Sequence, residues 1–546
     1  MPALPRRLVS AWRALERFAD GRGAAPTVFA IALVAYALVS VAVPLEAGRD
    51  LARYLLVYAQ LFDPEVLYPH ALLTRAPGTP LVAGGLLEAG TVVAEAGCAL
   101  LYAGSVTAWC AVARRFGPAA AVATALALVV YPGYVLLFHR LSSDALFAAA
   151  FSVFALLLAR ALEHPDAGRF AALGAAVAGL VFARPTGQAL VLLVLLPLVV
   201  ARTWPSRIRS ATAFALAATF PLLAWSVHNH FRLDDFTVVR SGGATFTLFR
   251  SFVADRIVEP ENGPASRELA RAVARDLLPY EPYRSYEIDL DDFFSSGSFR
   301  MHEDLTVLAD RTWGWDDDYG QLSRVATEAI LAHPWPYAKG VAGDLRDLLV
   351  WPLYARVEAS SEAVAPSVTP PARGIAVARQ SLPTPSEGEP IPAARQSAFI
   401  STPDGRIREV WTSPTDHHIV FPTPEDEARA AEIDQRVNGV LANLPDRDGS
   451  SDLARWLNSL SRWYPRPIVW LLVGLVAVAF RRPRGALLPL ILTGCALLLL
   501  FTTALAVYAV AEYSVPLVPA FVLLATAGLL GPRSVTVSSR QWQRSA

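Results

Sequence analysis

Charge is scarce in this chain. Only 18% of its 546 residues are Asp, Glu, Lys or Arg, against 54% hydrophobic, and mean hydropathy is +0.37. That is too little charge to coat soluble domains of this total length, so a bilayer is the indicated solvent. Net charge is absent as well, with 48 basic residues against 48 acidic ones. The balance excludes a nucleic-acid protein that binds through bulk positive charge. Cysteine is rare: Cys98, Cys110 and Cys495 all sit inside apolar runs without CxxC spacing, so neither a disulfide framework nor a thiolate metal site is indicated. Lysine is confined to Lys339, leaving arginine to carry the positive charge. No internal repeat is visible.

What is present is apolar length. A membrane helix needs roughly 20 apolar residues, and Pro26 to Leu45 supplies an uncharged run of that kind. No clear small-residue cleavage site follows it, so it reads as a retained first span rather than a signal peptide. Further runs near 91–113, 117–138, 143–161, 170–183, 186–202, 210–228, 466–480, 486–511 and 514–532 bring the candidate spans to ten. The expected fold is an all-α polytopic membrane bundle of about ten transmembrane helices. A large mixed α/β or irregular extracytoplasmic insert follows the seventh.

Arginines orient the bundle, because short cytoplasmic loops accumulate them. If ten spans alternate, eighteen arginines fall on the side of the N-terminus, among them Arg6, Arg114, Arg115, Arg207 and Arg482. The short loops of the other side hold Arg49, Arg53, Arg75, Arg140 and Arg184. The N-terminus is therefore expected in the cytoplasm. The division that follows is a cytoplasmic segment 1–25, a seven-helix membrane module 26–230, an extracytoplasmic insert 231–465, a three-helix module 466–532 and a cytoplasmic tail 533–546. Within the insert, Gly242-Gly243 between Val238 and Phe246 signals a hairpin. Eleven prolines from Pro366 to Pro424 indicate an extended wrap, interrupted by a hairpin at Ile400–Trp411 with Pro403-Asp404-Gly405 in it. Thr423-Pro424-Glu425-Asp426 opens a helix to about Leu444.

Two carboxylates stand out by depth. Asp50 follows the first span by five residues and Asp144 opens another, and charge near a membrane helix is costly enough to need a reason. On the same inferred face lie Arg75, Arg140 and Arg184, and guanidinium is the preferred partner of phosphate. The alternative for each is ordinary: an interfacial acid, an acid favoured by the helix dipole, an arginine snorkelling to headgroups. Taken together, arginines and carboxylates at one membrane face suggest phosphate chemistry coupled to proton transfer.

The order of motifs adds to this. Asp50 after the first span, Arg75-Ala76-Pro77-Gly78-Thr79-Pro80, Tyr131-Pro132-Gly133 with His139-Arg140-Leu141-Ser142-Ser143-Asp144, Arg184-Pro185-Thr186-Gly187, and Glu512-Tyr513-Ser514-Val515-Pro516-Leu517-Val518-Pro519 succeed one another. This resembles the polyprenyl-phosphate-sugar-dependent glycosyltransferases of the GT-C superfamily, in particular the protein O-mannosyltransferase and lipid A aminoarabinose transferase group. The last motif departs from the common R-Y-x-x-P-x-x-P form, with Glu512 in place of arginine. The resemblance implies a membrane enzyme that moves a sugar from a polyprenyl phosphate to an extracytoplasmic acceptor hydroxyl with inversion. It implies Asp50 as general base, Asp144 as a second carboxylate that orients Asp50 or the acceptor or shares a metal, and substrate contacts from Arg49, Tyr54, Arg75, His139, Arg140, Arg184 and Tyr513.

Metal dependence stays open, since the superfamily contains both cases. Asp50, Asp144 and His139 offer ligand types, but no spacing fixes a site, so a divalent cation is possible and no metal residues are assigned. Asp289-Leu290-Asp291-Asp292 and Asp316-Asp317-Asp318 resemble a D-x-D motif but read as solvated acidic turns. Asp416-His417-His418 reads as a polar loop, and His228-Asn229-His230 as interfacial. Phe293, Phe294, Trp313, Trp315 and Tyr319 are candidates to stack on an acceptor. The expected partners are a lipid-linked sugar, an acceptor on protein, lipid or glycan, and membrane lipids, with no nucleic acid. The expected location is a cell membrane, taken as a bacterial plasma membrane, with the site on its extracytoplasmic face. A lipid-linked-sugar flippase is the alternative, because Pro132-Gly133 and Pro185-Thr186-Gly187 also fit broken transporter helices.

Overall fold

The computed structural model describes residues 17, 18, 21, 23–63, 65–240, 244–350, 402, 407–411, 417–444 and 452–533. Helix is the only way a single apolar segment can satisfy its own backbone in hydrocarbon, and the described chain is a helical bundle. Five of its helices are long and apolar enough to cross a membrane: Thr91–Phe116, Ser143–Glu163, Trp204–Leu233, Leu487–Ala506 and Glu512–Leu530. Pro118–Val129 and Pro132–Phe138 qualify as a pair, bent by 64°. The bend has a local cause. Proline bars its predecessor from helical backbone, and Tyr131 accordingly sits at φ −84°, ψ 100°.

Four further apolar helices, Ala24–Ser40, Ala167–Ala183, Pro185–Val200 and Pro467–Arg481, are 17 residues or shorter. At 1.5 Å per residue they fall short of a hydrocarbon core about 30 Å thick. They coincide with four of the ten apolar runs, and the count of ten spans is a proposal.

Small residues let the C-terminal helices meet closely, which matters where lipid supplies no hydrophobic drive between them. A Cβ on Gly474 would lie 2.8 Å from the Ala525 amide nitrogen, and one on Gly528 would lie 2.8 Å from the Ala477 Cβ. Aromatic stacking ties this module to the bent pair, with the Tyr131 and Tyr464 rings 4.2 Å apart.

A second hydrophobic core forms between residues 248 and 329, around Leu248, Phe252, Leu269, Val273, Phe293, Met301, Leu305 and Leu322. Its helices include Pro264–Asp276, Phe299–Trp313 and Gly320–Ala332. The mixed or irregular insert expected above is therefore helical over 244–350. The Gly-Gly hairpin does not form: Ala244–Phe249 is a helix, and Gly242-Gly243 lies outside the described residues. Leu248 and Phe252, one turn apart, both bury in the second core, and that packing outweighs local strand propensity. The expected hairpin at 400–411 lies partly outside the described residues. Its Pro-Asp-Gly turn lies outside the described residues, flanked by a Thr402 N–H to Ile407 O bond of 2.9 Å, while Arg408–Trp411 pairs antiparallel with the downstream strand His417–Val420. The helix Pro424–Ala442 starts as expected, with the Thr423 side chain accepting from Asp426 N. Most of the Pro-rich segment lies outside the described residues.

Replacing Gly474 with Leu overpacks a helix contact, at a cost of roughly 1–3 kcal/mol. The detergent-solubilised Gly474→Leu protein is expected to melt several degrees lower. Gly494→Leu, where a Cβ meets nothing within 4 Å, should melt with the parent in the same thermal scan.

Candidate active site

Two loops meet in a short parallel ladder, Glu46–Ala47 against Arg140–Leu141, with Glu46 opposite Arg140. The Glu46 amide donates to His139 O at 2.9 Å and the Gly48 amide to Leu141 O at 3.2 Å. Glycine is needed at 48, because a Cβ there would lie 2.6 Å from the Ser142 Cβ. The ladder delivers Arg49 and Asp50 beside Asp144, in the first turn of Ser143–Glu163. A third loop joins them. The Thr79 hydroxyl donates to Ala183 O at 2.9 Å, and Gly78 approaches so closely that a Cβ would lie 2.7 Å from Phe182 O. Arg75 and Arg184 thereby reach the same cleft, and motifs more than a hundred residues apart become one site.

Asp50 stands at the N-cap position of Leu51–Gln60 with φ 64°, ψ 9°, and its side chain makes no capping bond. Left-handed backbone costs an ordinary L-residue roughly 1–2 kcal/mol, though Asp and Asn tolerate it best. Instead of capping, the carboxylate faces Arg75 at 3.5 Å and Arg53 at 3.9 Å, with a third of its side-chain surface (33%) open. Burial among protein atoms would raise its pKa. The guanidinium groups of Arg75, Arg53, Arg49 and Arg184 outweigh that and hold it below the usual carboxylate range. Arg53 also bridges to Glu303 of the second core at 3.2 Å.

Asp144 is almost enclosed, with 4% of its side chain exposed, and lies 3.7 Å from Arg49. Arg184 bonds to its other oxygen. The two arginines share a second partner, the Tyr513 ring, with Arg49 4.7 Å and Arg184 4.1 Å from its centroid. Such contacts are attractive through the ring quadrupole. Tyr54 is buried beneath Arg75, whose guanidinium lies 5.7 Å from its ring. Arg140 is a strut between carboxylates, 2.7 Å from Glu46 and 2.7 Å from Glu512. The departure at position 512 thus has a definite partner.

One expected residue is placed elsewhere. His139 is fully buried, stacked on Tyr36 at 3.9 Å, and its Nδ1 lies 3.6 Å from Glu95. It turns into the bundle, toward Tyr36 and Glu95. Among the described residues no three His, Cys, Asp or Glu side chains converge as a metal site. The acidic runs have local duties: Asp289 caps its helix through Asp292 N, and Asp317 accepts from Gln321 N at 2.8 Å. Phe293, Phe294 and Tyr319 are buried and offer no stacking surface. Trp313 donates to Glu268 at 2.8 Å, and the Trp315 ring carries the Arg240 guanidinium at 3.5 Å.

Sequence reasoning missed the supports. Arg250, buried to 1% exposure, pairs with Asp255 and Asp344 and donates to Ala504 O at 3.0 Å and Val507 O at 3.2 Å. Asp344 accepts from Ala509 N at 2.9 Å. This clamp fixes the loop that leads into Glu512 and Tyr513. Only Asp255 is near in sequence; Asp344, Ala504 and Val507 lie 94 or more residues along the chain, so the sequence does not signal the clamp.

Residues 86–229 match the family model described as dolichyl-phosphate-mannose-protein mannosyltransferase. A solved structure, ArnT from Cupriavidus metallidurans bound to undecaprenyl phosphate, is similar at 16% identity, covering 93% of this chain and 78% of that one with a TM-score of 0.31. No curated protein matches.

Removing Arg75 takes away the cation that lowers the Asp50 pKa most. In Arg75→Gln the Asp50 pKa rises, so the carboxylate is lost at a higher pH on acidification. The normalised pH profile of glycosyl transfer is expected to keep its shape but to have its acid limb displaced upward in pH.

Proposed function

We propose that the chain transfers a glycosyl unit from a polyprenyl phosphate to an acceptor hydroxyl on the extracytoplasmic face, with inversion at the anomeric carbon. The observation that carries this reading is the partly exposed Asp50 carboxylate, 3.5 Å from Arg75 and next to Asp144 with its two arginines. An anionic carboxylate with open surface can take a proton, and guanidinium groups beside it can take a phosphate. The description of the matched family names a lipid-phosphate sugar as donor, and a charged site gathered from the loops of a helical bundle suits a donor that stays in the membrane.

In the step proposed, the acceptor oxygen attacks the anomeric carbon and its proton passes to Asp50. The bond from that carbon to the phosphate oxygen breaks with its electron pair leaving on the phosphate. Arg75, Arg49 and Arg184 balance the charge that develops there. Asp144 keeps Arg49 and Arg184 in place around Tyr513, and Tyr54 backs Arg75. Arg140, held between Glu46 and Glu512, acts as a strut. The candidate metal ligands do not fit a cation together, because Asp50 and Asp144 each face two arginines and His139 is turned to Glu95. No step is assigned to a metal.

The topology belongs to the same proposal: N-terminus and tail in the cytoplasm, membrane modules 26–230 and 466–532, and the body 231–465 outside. The sugar is left to the donor assay, and the acceptor hydroxyl is one borne by protein, lipid or glycan outside the cytoplasm.

Purified full-length protein in proteoliposomes is expected to release polyprenyl phosphate from radiolabelled polyprenyl-phosphate mannose in the presence of membrane extract as acceptor. A flippase would move the lipid between leaflets without releasing phosphate. Asp50→Asn suits the same left-handed backbone and should fold and melt like the parent while losing turnover about a thousandfold or more. Normal turnover in that variant would remove Asp50 as base.

A further inference from the structure

The helix Thr91–Phe116, one of the five long apolar spans, carries a single acidic side chain, Glu95, one turn from its start. A carboxylate in a membrane helix persists where specific partners offset its burial, and the partners of Glu95 are unusual in where they lead. Its Oε1 accepts from the Ser40 hydroxyl at 2.8 Å, at the end of Ala24–Ser40. Its Oε2 accepts from the Leu45 backbone N–H at 2.7 Å. His139 Nδ1 lies 3.6 Å away, and that ring is held by its stack on Tyr36, whose hydroxyl donates to Phe138 O at 3.3 Å.

Leu45 and His139 are the residues that immediately precede the two strands of the ladder, Glu46–Ala47 and Arg140–Leu141. The strands are joined at this end by the Glu46 amide donating to His139 O at 2.9 Å. One carboxylate thus engages the root of both strands. Five residues beyond Leu45 the chain reaches Asp50, whose backbone at φ 64° is an arrangement that surrounding contacts have to impose. A two-residue ladder cannot do so unaided.

We propose that Glu95 is a positioning residue for the transfer reaction: it anchors both strands of the ladder and so fixes the aim of Asp50, without touching a reacting atom. The inference rests on the reading of Asp50 given under the proposed function. A merely structural Glu95, one that only ends the helix Ala24–Ser40, would affect melting and leave turnover per folded molecule unchanged.

The test compares the full-length protein with Glu95→Gln and Glu95→Leu in nanodiscs. It measures hydrogen exchange of peptides covering residues 43–50, and kcat and KM with radiolabelled polyprenyl-phosphate mannose. Loss of a charge-assisted bond to the Leu45 amide is expected to quicken exchange about tenfold or more in Glu95→Leu. Misplacement of the base is expected to lower kcat about 10–100-fold, with KM for the donor within about threefold because the phosphate contacts are retained. Glu95→Gln keeps one carbonyl acceptor and should fall between on both measurements; if Glu95→Leu does not accumulate, Glu95→Gln decides alone. Unchanged exchange over 43–50 overturns the inference, and so does quickened exchange with unaltered kcat. An unsubstituted protein that does not turn over the donor defeats the proposed function and the inference with it. Turnover in the parent with unaltered variants defeats the inference alone.

Discussion

Two residues of parallel ladder, Glu46–Ala47 on Arg140–Leu141, join parts of the chain 94 residues apart. So short a pairing is too weak to form by itself, and it exists because the membrane helices on either side hold their ends in register. Gly48 allows the two backbones to touch, and the Glu46–Arg140 ion pair closes one side. From this join follow the left-handed turn at Asp50, the meeting of Arg49 with Asp144, and the cleft between them. A membrane bundle can tolerate irregular backbone at such a place only where protein or water satisfies it, and here the neighbouring loop does.

The charges of the cleft are nearly self-contained. Arg49, Arg53, Arg75, Arg140 and Arg184 face Glu46, Asp50, Asp144, Glu303 and Glu512. Half-buried charges left unpaired would cost several kcal/mol each, and here each carboxylate faces a guanidinium group. A phosphate entering as proposed would compete with carboxylates already in place. Binding becomes an exchange of partners, and its strength depends on which arginine gives up least. Arg140, held by two short ion pairs, gives up most. Arg75, 3.5 Å from Asp50, gives up less.

Much of this was legible in the sequence, and the reasons differ by residue. Apolar length announces the five long helices, while four other runs form helices of 17 residues or fewer, and Pro132 marks the bend that the backbone shows. The loop motifs around Asp50, Arg75, Asp144 and Arg184 could be placed on one face because arginines sort by side. What a side chain pairs with at long range was not legible. The direction of His139 is set by Tyr36, and the strut role of Arg140 by Glu46 and Glu512, which lie 94 and 372 residues away. Nothing in the sequence singles out Glu95 or Arg250. The helix at Ala244–Phe249 defeated a valid turn signal because Leu248 and Phe252 had a core to enter.

The bridge from Arg140 to Glu512 bears on how such a chain can drift. Arginine at 512, the usual residue in the sequences this one resembles, would set two guanidinium groups against each other, with Glu46 as the remaining counterion. A lone exchange in either direction creates repulsion before any benefit. Positions 46, 140 and 512 are therefore expected to vary as a linked set across descendants of a common ancestor, and a homologue's residue at one of them forecasts the other two.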